Sequence, residues 1–463
     1  VKVLVKDGES VGAKPTKVAI RENGKVTVLE LATETDELDF IMGRFPMKFR
    51  KLGDDEDISN FPYSHHVKWR KMRKDEDVSS RHESQIKFVK SEKANFVATE
   101  VSSKYDGLTA GDMIGLILSG SGNRLAYAIS RRAEEIGTVA FHLPGFKLKQ
   151  WRPDHTQDKS DNDHELIAEL LESVPDEFYA LEPRDRDLVD MRERYYARID
   201  AMKARIATDQ RLRSRYMGAT FCNPDGRYPE GTIELAYEFA RANDVIYQAV
   251  VAEENKRELE LKKAVEKLEI FQRLFAPIEG LGWAIASRII ASIGDIRQFR
   301  TDAQLKAYCG VHVLPDGRFP RRRNNELANW KPDCRQAMYL LGDQFNRRPA
   351  SVWGQKLVEY RKKLREKHPF TQVVVKSKGE SPDMVYDLIP GQFEHDKKTG
   401  IYTIRTIEGE VKVKGVQRWN DLHIHRTATW RTLTKFVEWL HREWWKLERE
   451  FATVRQTGKS VAA

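Results

Sequence analysis

The stretch PIEGLGWAIASRIIASIGDIRQFRTDAQLKAYCGV, residues 277–311, carries the most informative pattern in the chain. Ile278, Gly280 and Gly282 form a hydrophobic-Gly-x-Gly turn, and the apolar residues after it recur at helical spacing. Such a turn uncovers backbone N–H groups at a helix N-terminus, where they can hold a DNA phosphate without reading a base. A tight turn between packed helices has the same sequence, so Gly280 and Gly282 are DNA-binding candidates on one of two readings.

Working outward, the helical unit continues to about residue 365. TQVVVKSKG (371–379) and GIYTIRTIEGEVKVKG (400–415) read as a β-rich insertion over 366–415. The helical pattern resumes in HIHRTATWRTLTKFVEWLHREWWKLERE (423–450), so one domain is expected over 276–450, with a frayed tail at 451–463. On the other side, Leu188, Met191, Tyr195, Ile199, Met202 and Ile206 recur at spacings of three and four. That is an a/d seam. A second long helix is expected from Thr232 to Phe275, after the loop CNPDGRYPEG (222–231). Together they predict an antiparallel coiled-coil arm over 176–275, which is either a spacer or dimerisation stalk or a nucleic-acid contact.

Residues 1–43 alternate like strands, with Asn23-Gly24 as a hairpin turn. Residues 44–92 are dense in charge, as in KWRKMRKDEDVSSRHES (68–84), and read as a solvated insertion. NFVATE (95–100) reads as a short buried strand. RLAYAISRRAEEIG, TVAFHL and ELIAELLES then alternate helix, strand and helix. An α/β domain over 1–175 follows.

The length of 463 residues fits about three domains. Lys plus Arg number 79 against 70 Asp plus Glu, a net charge of +9 that favours polyanionic partners. No apolar run reaches the ~18 residues of a membrane helix, and VKVLVKDGES lacks a signal-peptide core. Cys222, Cys309 and Cys334 show no CxxC spacing, against a zinc ribbon or disulfide scaffold and for a reducing, cytoplasmic setting. GxxxxGK[ST], HExxH and GxSxG are all absent.

Two groupings bear on chemistry. Asp7 follows the first strand, Glu100 ends a later one, and DKSDNDHE (158–165) opens a helix. Carboxylates converging from such positions bind divalent cations through hard oxygens. A pair of such ions activates the attacking oxygen and stabilises the leaving one in phosphodiester cleavage. Asp161 shares a helix face with His164. Acidic residues at a helix start also serve as caps. RFPRRRNNELANW (318–330) brings Arg318, Arg321, Arg322 and Arg323 near Trp330, and HIHRTATWR brings His423, His425, Arg426, Trp430 and Arg431. Arginines neutralise phosphates and aromatics stack on unpaired bases. The competing reading is a helical core anchored by tryptophans, favoured for Trp439, Trp444 and Trp445.

The 277–311 stretch resembles the C-terminal domain of the insertion sequence 110 family (Piv-type, DEDD) transposases, with their PG-x-G turn, "EIGD…RF" step and "YaGL" element. NFVATE resembles the family's second catalytic strand, and KSDNDHELIA its "KTDxxDAxxLA" helix. The resemblance implies a fold of class α/β plus α: a RuvC-like, RNase H-type nuclease domain, a helical arm, and a helix-hairpin-helix-like DNA-binding domain. It implies Mg²⁺ (or Mn²⁺)-dependent DNA strand cleavage and exchange by an oligomer acting on element ends and target DNA. Some members are directed by an element-encoded guide RNA. Glu100 takes the second acidic position and Asp161 the third; the fourth falls on His164, or on Asp163 with a one-residue gap. The first falls on Asp7, or on Ser10 if SVGAK aligns with the family's "DVGxK". The family's "SG" serine aligns with Asp316-Gly317, leaving Ser351 as a distant candidate. A catalytically silent nucleic-acid-binding relative is the alternative these departures raise.

Overall fold

A computed structural model describes residues 2–5, 15–74, 76–118, 122–153, 161–315, 317–321, 330–376, 383–407 and 409–461. Asp7, Ser10, Asp316, Arg322 and Arg323 lie outside them. The chain divides into two units, Val1–Val189 and Asp190–Ala463.

The first unit is α/β. Strands β1 (Lys2–Val5), β2 (Thr16–Glu22) and β3 (Lys25–Leu31) form an antiparallel meander and lead to helix α1 (Glu34–Ile41). Asn23 and Gly24 both take positive φ between β2 and β3, as a two-residue hairpin requires. Thr33 closes a capping box at the start of α1. Strands β4 (Phe45–Lys51), β5 (Lys68–Lys71), β6 (Ile86–Val89) and β7 (Ala94–Asp106) follow. Then come β8 (Met113–Leu116), α2 (Gly122–Glu135), β9 (Val139–His142), α3 (Gly145–Trp151), α4 (Asp163–Ser173) and β10 (Tyr179–Ala180).

The central sheet has the order β10-β9-β8-β1-β2-β3, with β1, β8 and β9 mutually parallel. Successive residues point to opposite faces. Leu4 and Val18 join Phe40, Ile114 and Ile129 on the side of α1 and α2, while Val3 and Ala19 join Leu143, Ile167 and Leu171 on the side of α4.

Residues 44–92 are no solvated loop. They supply β4, β5 and β6, which pair with the long β7 in a separate sheet around Leu52, Ile58, Val67, Ala98 and Val101. The module therefore extends through Asp106. Its strands interleave lysine and arginine with apolar residues, so composition mimics a loop while one face packs.

Helix α5 (Pro183–Phe221) begins in the first unit and continues in the second. The expected single helix from Thr232 to Phe275 is instead α6 (Ile233–Asn243), α7 (Val245–Lys267) and a π-helical turn at Phe271–Phe275. Asp244 breaks it, its carboxylate accepting from the Tyr247 N–H as an N-cap. α5 and α7 are joined in opposite directions by Arg198–Glu258 at 3.5 Å and by Arg205–Glu254. The seam is buried at Met191, Tyr195, Leu261 and Val265 but open at Ile206.

The rest of the second unit comprises α8 (Trp283–Ile293), α9 (Asp302–Cys309), α10 (Pro332–Arg347) and α11 (Val352–Lys367). Strands β11 (Thr371–Val375), β12 (Met384–Leu388), β13 (Phe393–Asp396), β14 (Ile401–Thr406), β15 (Gly409–Val413) and β16 (Val416–Arg418) then precede α12 (Asp421–Val461). The strands make two three-stranded sheets that share a core of Val373, Leu388, Tyr402, Ile404 and Val413. Phe345, Trp353, Phe436 and Trp439 interlock α10, α11 and α12. Trp444 is buried against Phe275, and Trp445 donates to the Phe299 carbonyl at 2.9 Å, so these tryptophans belong to the core.

Candidate functional site

The 277–311 stretch is tied down along its length. Asp295 caps the Ile296–Gln298 turn and holds Arg297 at 2.8 Å, both side chains nearly buried. Tyr308 donates to the Ser292 carbonyl at 2.6 Å, and Thr434 of α12 donates to the Val311 carbonyl at 2.6 Å. Gly280 takes φ +88, where a Cβ would also press on the Arg348 side chain at 3.1 Å. Gly282 is exposed and starts α8 without a side-chain cap. The turn thus has uncovered N–H groups beside an arginine, which suits an anion.

The basic and aromatic residues converge. Arg318, Arg321, Trp330, Arg335, Arg418, Trp419, His423, His425, Arg426, Trp430 and Arg431 line one cavity of about 1330 Å³ in the second unit. The segments around Arg321 and Arg426 are remote in sequence and meet here because α12 returns along α9 and α10 after the β insertion. Arg335, unremarked in the sequence, organises the wall. Its guanidinium lies 4.3 Å from the Trp330 ring centre and 4.8 Å from that of Trp430. It donates to the carbonyls of Gly310 at 2.8 Å and Pro320 at 2.7 Å. Truncation in Arg335→Ala forfeits both cation–π contacts and two charge-assisted hydrogen bonds, so a loss of about 3 kcal/mol is expected in urea unfolding. Arg335→Lys should recover little, because an ammonium cannot reproduce the planar fork.

Trp419, also unremarked, stacks on His368 with ring centres 3.7 Å apart and on His423 at 4.8 Å. Its positive φ of 56° has no signal in the local sequence. Its N–H donates to His423 Nδ1 at 3.0 Å, and Arg361 donates to His425 Nδ1. Each ring therefore carries its proton on Nε2. Burial, then Arg418 and Arg321, push the His423 pKa down; burial, then Arg361 and Arg426, do the same for His425. Both are neutral donors at pH 7, and the arginines supply the charge.

The acidic residues are distributed differently. Asp161 is exposed in the turn before α4, where Lys17 Nζ reaches its backbone carbonyl at 3.3 Å. Lys17 pairs with Val5 in the sheet, so the chain leaving β1 toward Asp7 starts opposite the residue that touches Asp161. His164 is 3% exposed, and burial followed by Lys17 lowers its pKa. Asp163 is held on both oxygens by Arg152, at 2.8 and 2.7 Å, with both side chains 6% exposed. Its charge is matched by that fork, against a role as metal ligand.

Glu100 lies on β7, in the module's sheet rather than the sheet of β1, and pairs with Lys68 at 2.8 Å. The strand beside β1 is β8, which is followed by Ile117 and Leu118 with no acid. Glu100 does not end its strand, as NFVATE suggests, but stands in the middle of β7, which runs on to Asp106. Ser351 caps α11, donating to the Arg348 carbonyl at 2.7 Å and accepting from the Gly354 N–H at 3.1 Å, so its hydroxyl is occupied.

The second unit thus carries an arginine- and tryptophan-lined cavity and an uncapped helix start, each of a kind suited to a nucleic-acid backbone. Residues 272–316 match the family described as Transposase IS116/IS110/IS902 family. The match supports an IS110-family transposase, as the resemblance of the same stretch implied. No curated protein matches the chain. Among the described residues, no helix is long and apolar enough to cross a membrane.

Proposed function

We propose that the protein is an insertion-sequence transposase or site-specific recombinase that cleaves and exchanges DNA strands with a divalent metal. The observation that carries this reading is the convergence of two remote arginine- and tryptophan-bearing segments on one cavity, in the unit that contains the family match. Arg321, Arg426 and their neighbours neutralise phosphates, Trp330 and Trp430 offer stacking faces, and Gly280 and Gly282 present N–H groups to the backbone. Arg322 and Arg323, outside the described residues, extend the same run.

The order β3-β2-β1-β8-β9, with β2 alone antiparallel to both neighbours, supports an RNase H-type core for the first unit. Asp161 in the turn before α4 and His164 in its first turn, with Asp7 after β1, would hold the metal. One exposed carboxylate and one buried imidazole fit Mn²⁺ better than Mg²⁺, which prefers an all-oxygen shell. The ion would activate the attacking oxygen and stabilise the leaving one. Self-association, an element-encoded guide RNA and a cytoplasmic setting belong to the same reading. A second reading, a catalytically silent DNA-binding relative, is favoured by Glu100 on another sheet and by Asp163 in its fork with Arg152.

The test is cleavage of a branched DNA junction in Mn²⁺ and in Mg²⁺, with the element's own transcripts added. Wild type should cleave. Asp161→Asn should bind the junction within about twofold of wild type and not cleave, since removing one ligand leaves the basic cavity untouched. Tight binding without cleavage by wild type selects the second reading, and no DNA binding sinks both.

A further inference from the structure

A second grouping lies where α1 meets the inserted module, away from the residues discussed so far. Asp39, in the last turn of α1, has a carboxylate that is 0% exposed. Arg44 Nε holds its Oδ1 at 2.5 Å. The module's Ser64–His66 turn brings two adjacent imidazoles to the other oxygen. His65 Nε2 lies 2.8 Å from Oδ2 and His66 Nε2 lies 2.9 Å from the same atom. The three donor atoms all fall within 4.8 Å of one another.

One carboxylate oxygen facing two Nε2 atoms is not a finished hydrogen-bond arrangement. The His66 side chain is 7% exposed, and its Nε2 is misaligned, with no hydrogen-bond partner among the described residues. A buried nitrogen left so is costly unless something else satisfies it.

We propose that Asp39, His65 and His66 form a zinc site that fastens α1 to the inserted module. Two imidazole nitrogens and one carboxylate oxygen are a set zinc accepts, with a fourth position for water. Donors about 2.0–2.1 Å from a tetrahedral ion stand roughly 3.3 Å apart, so the two nitrogens, now 2.8 and 2.9 Å from Oδ2, must each draw back from it by a few tenths of an ångström. His65 can give that movement, since its side chain is 45% exposed and offers the ion a way in. Arg44 on Oδ1 orients the carboxylate so that Oδ2 faces the imidazoles, the support that metal-bound carboxylates commonly have. Asp36 adds negative charge toward His66.

The site is separate from the proposed Asp161 centre, so the two readings stand or fall apart. Zinc titration of the full chain by calorimetry, in excess Mg²⁺, compares wild type with His65→Ala and Asp39→Asn. Wild type should bind one zinc per chain that both variants lose or hold at least about a hundredfold more weakly. Zinc should also raise the wild-type Tm and not that of His65→Ala, whose half-exposed side chain can be removed without emptying a core. Co²⁺ should give the visible absorption of a tetrahedral site in wild type only. Equal zinc stoichiometry and affinity in wild type and His65→Ala, or no wild-type binding below about 100 µM, overturns the proposal.

Discussion

DNA affinity is expected to fall about a thousandfold between ~50 and ~200 mM salt if about six phosphates are neutralised. The charge comes from Arg318, Arg321, Arg418, Arg426 and Arg431 around the cavity, with Asp343 the acid in its lining. Counterions released from the DNA by these groups set the slope of log affinity against log salt. Arg321→Ala combined with Arg426→Ala should lower that slope by about two and weaken binding at low salt to all sequences alike. His423 and His425 have pKa values pushed below the ordinary histidine value, so they carry no charge at pH 7. Binding should therefore be flat from neutral pH upward and strengthen only when acid charges them. A salt-independent affinity, or an unchanged slope in the double variant, removes the cavity as the docking face.

Asp163→Ala is expected to cost about 3–5 kcal/mol of stability, because it removes the bidentate carboxylate from a nearly buried guanidinium. Both side chains are 6% exposed and the fork is bidentate, with contacts of 2.8 and 2.7 Å. Urea unfolding of the whole chain should show the first unit melting early. Replacing both partners by apolar residues, Arg152→Met with Asp163→Leu, should recover most of the loss, since a buried pair contributes little beyond its own desolvation. If Asp163→Ala unfolds like wild type but loses junction cleavage, the pairing is not structural and Asp163 returns to the metal site.

Local features were readable and long-range ones were not. Asn23-Gly24 predicts its hairpin because two consecutive positive φ values suit almost no other pair. The turn at Gly280 and the helix after it follow from spacing alone. Trp330 and His423 could be singled out as types, but their meeting depends on the return of α12, which no local pattern encodes. Arg335 was invisible because an arginine inside an amphipathic helix looks like a solvated one; only the tryptophans on either side of it show otherwise. In the arm, the apolar seam continues across Asp244, so periodicity predicted one helix where a side-chain cap starts a new one. In the first unit, the motif around Asp161 was placed at the start of α4. Glu100 was assigned to the wrong sheet because the strand beside β1, MIGL, is too short to announce itself.

The inserted module enters and leaves through a single doorway. Gly107 follows β7 at φ +153, and a Cβ there would stand 2.0 Å from the Phe40 carbonyl and 2.7 Å from Gly43 Cα. Leu108 N–H then donates to that carbonyl at 2.9 Å, while Arg44 N–H donates to the Asp39 carbonyl at 2.8 Å. Chain entry and exit are thus in contact, and β8 resumes beside β1 as though nothing had intervened. A module mounted this way is a cassette. Its gain or loss reroutes no strand of the host sheet, and closing the gap costs only the slowly growing entropy of a loop.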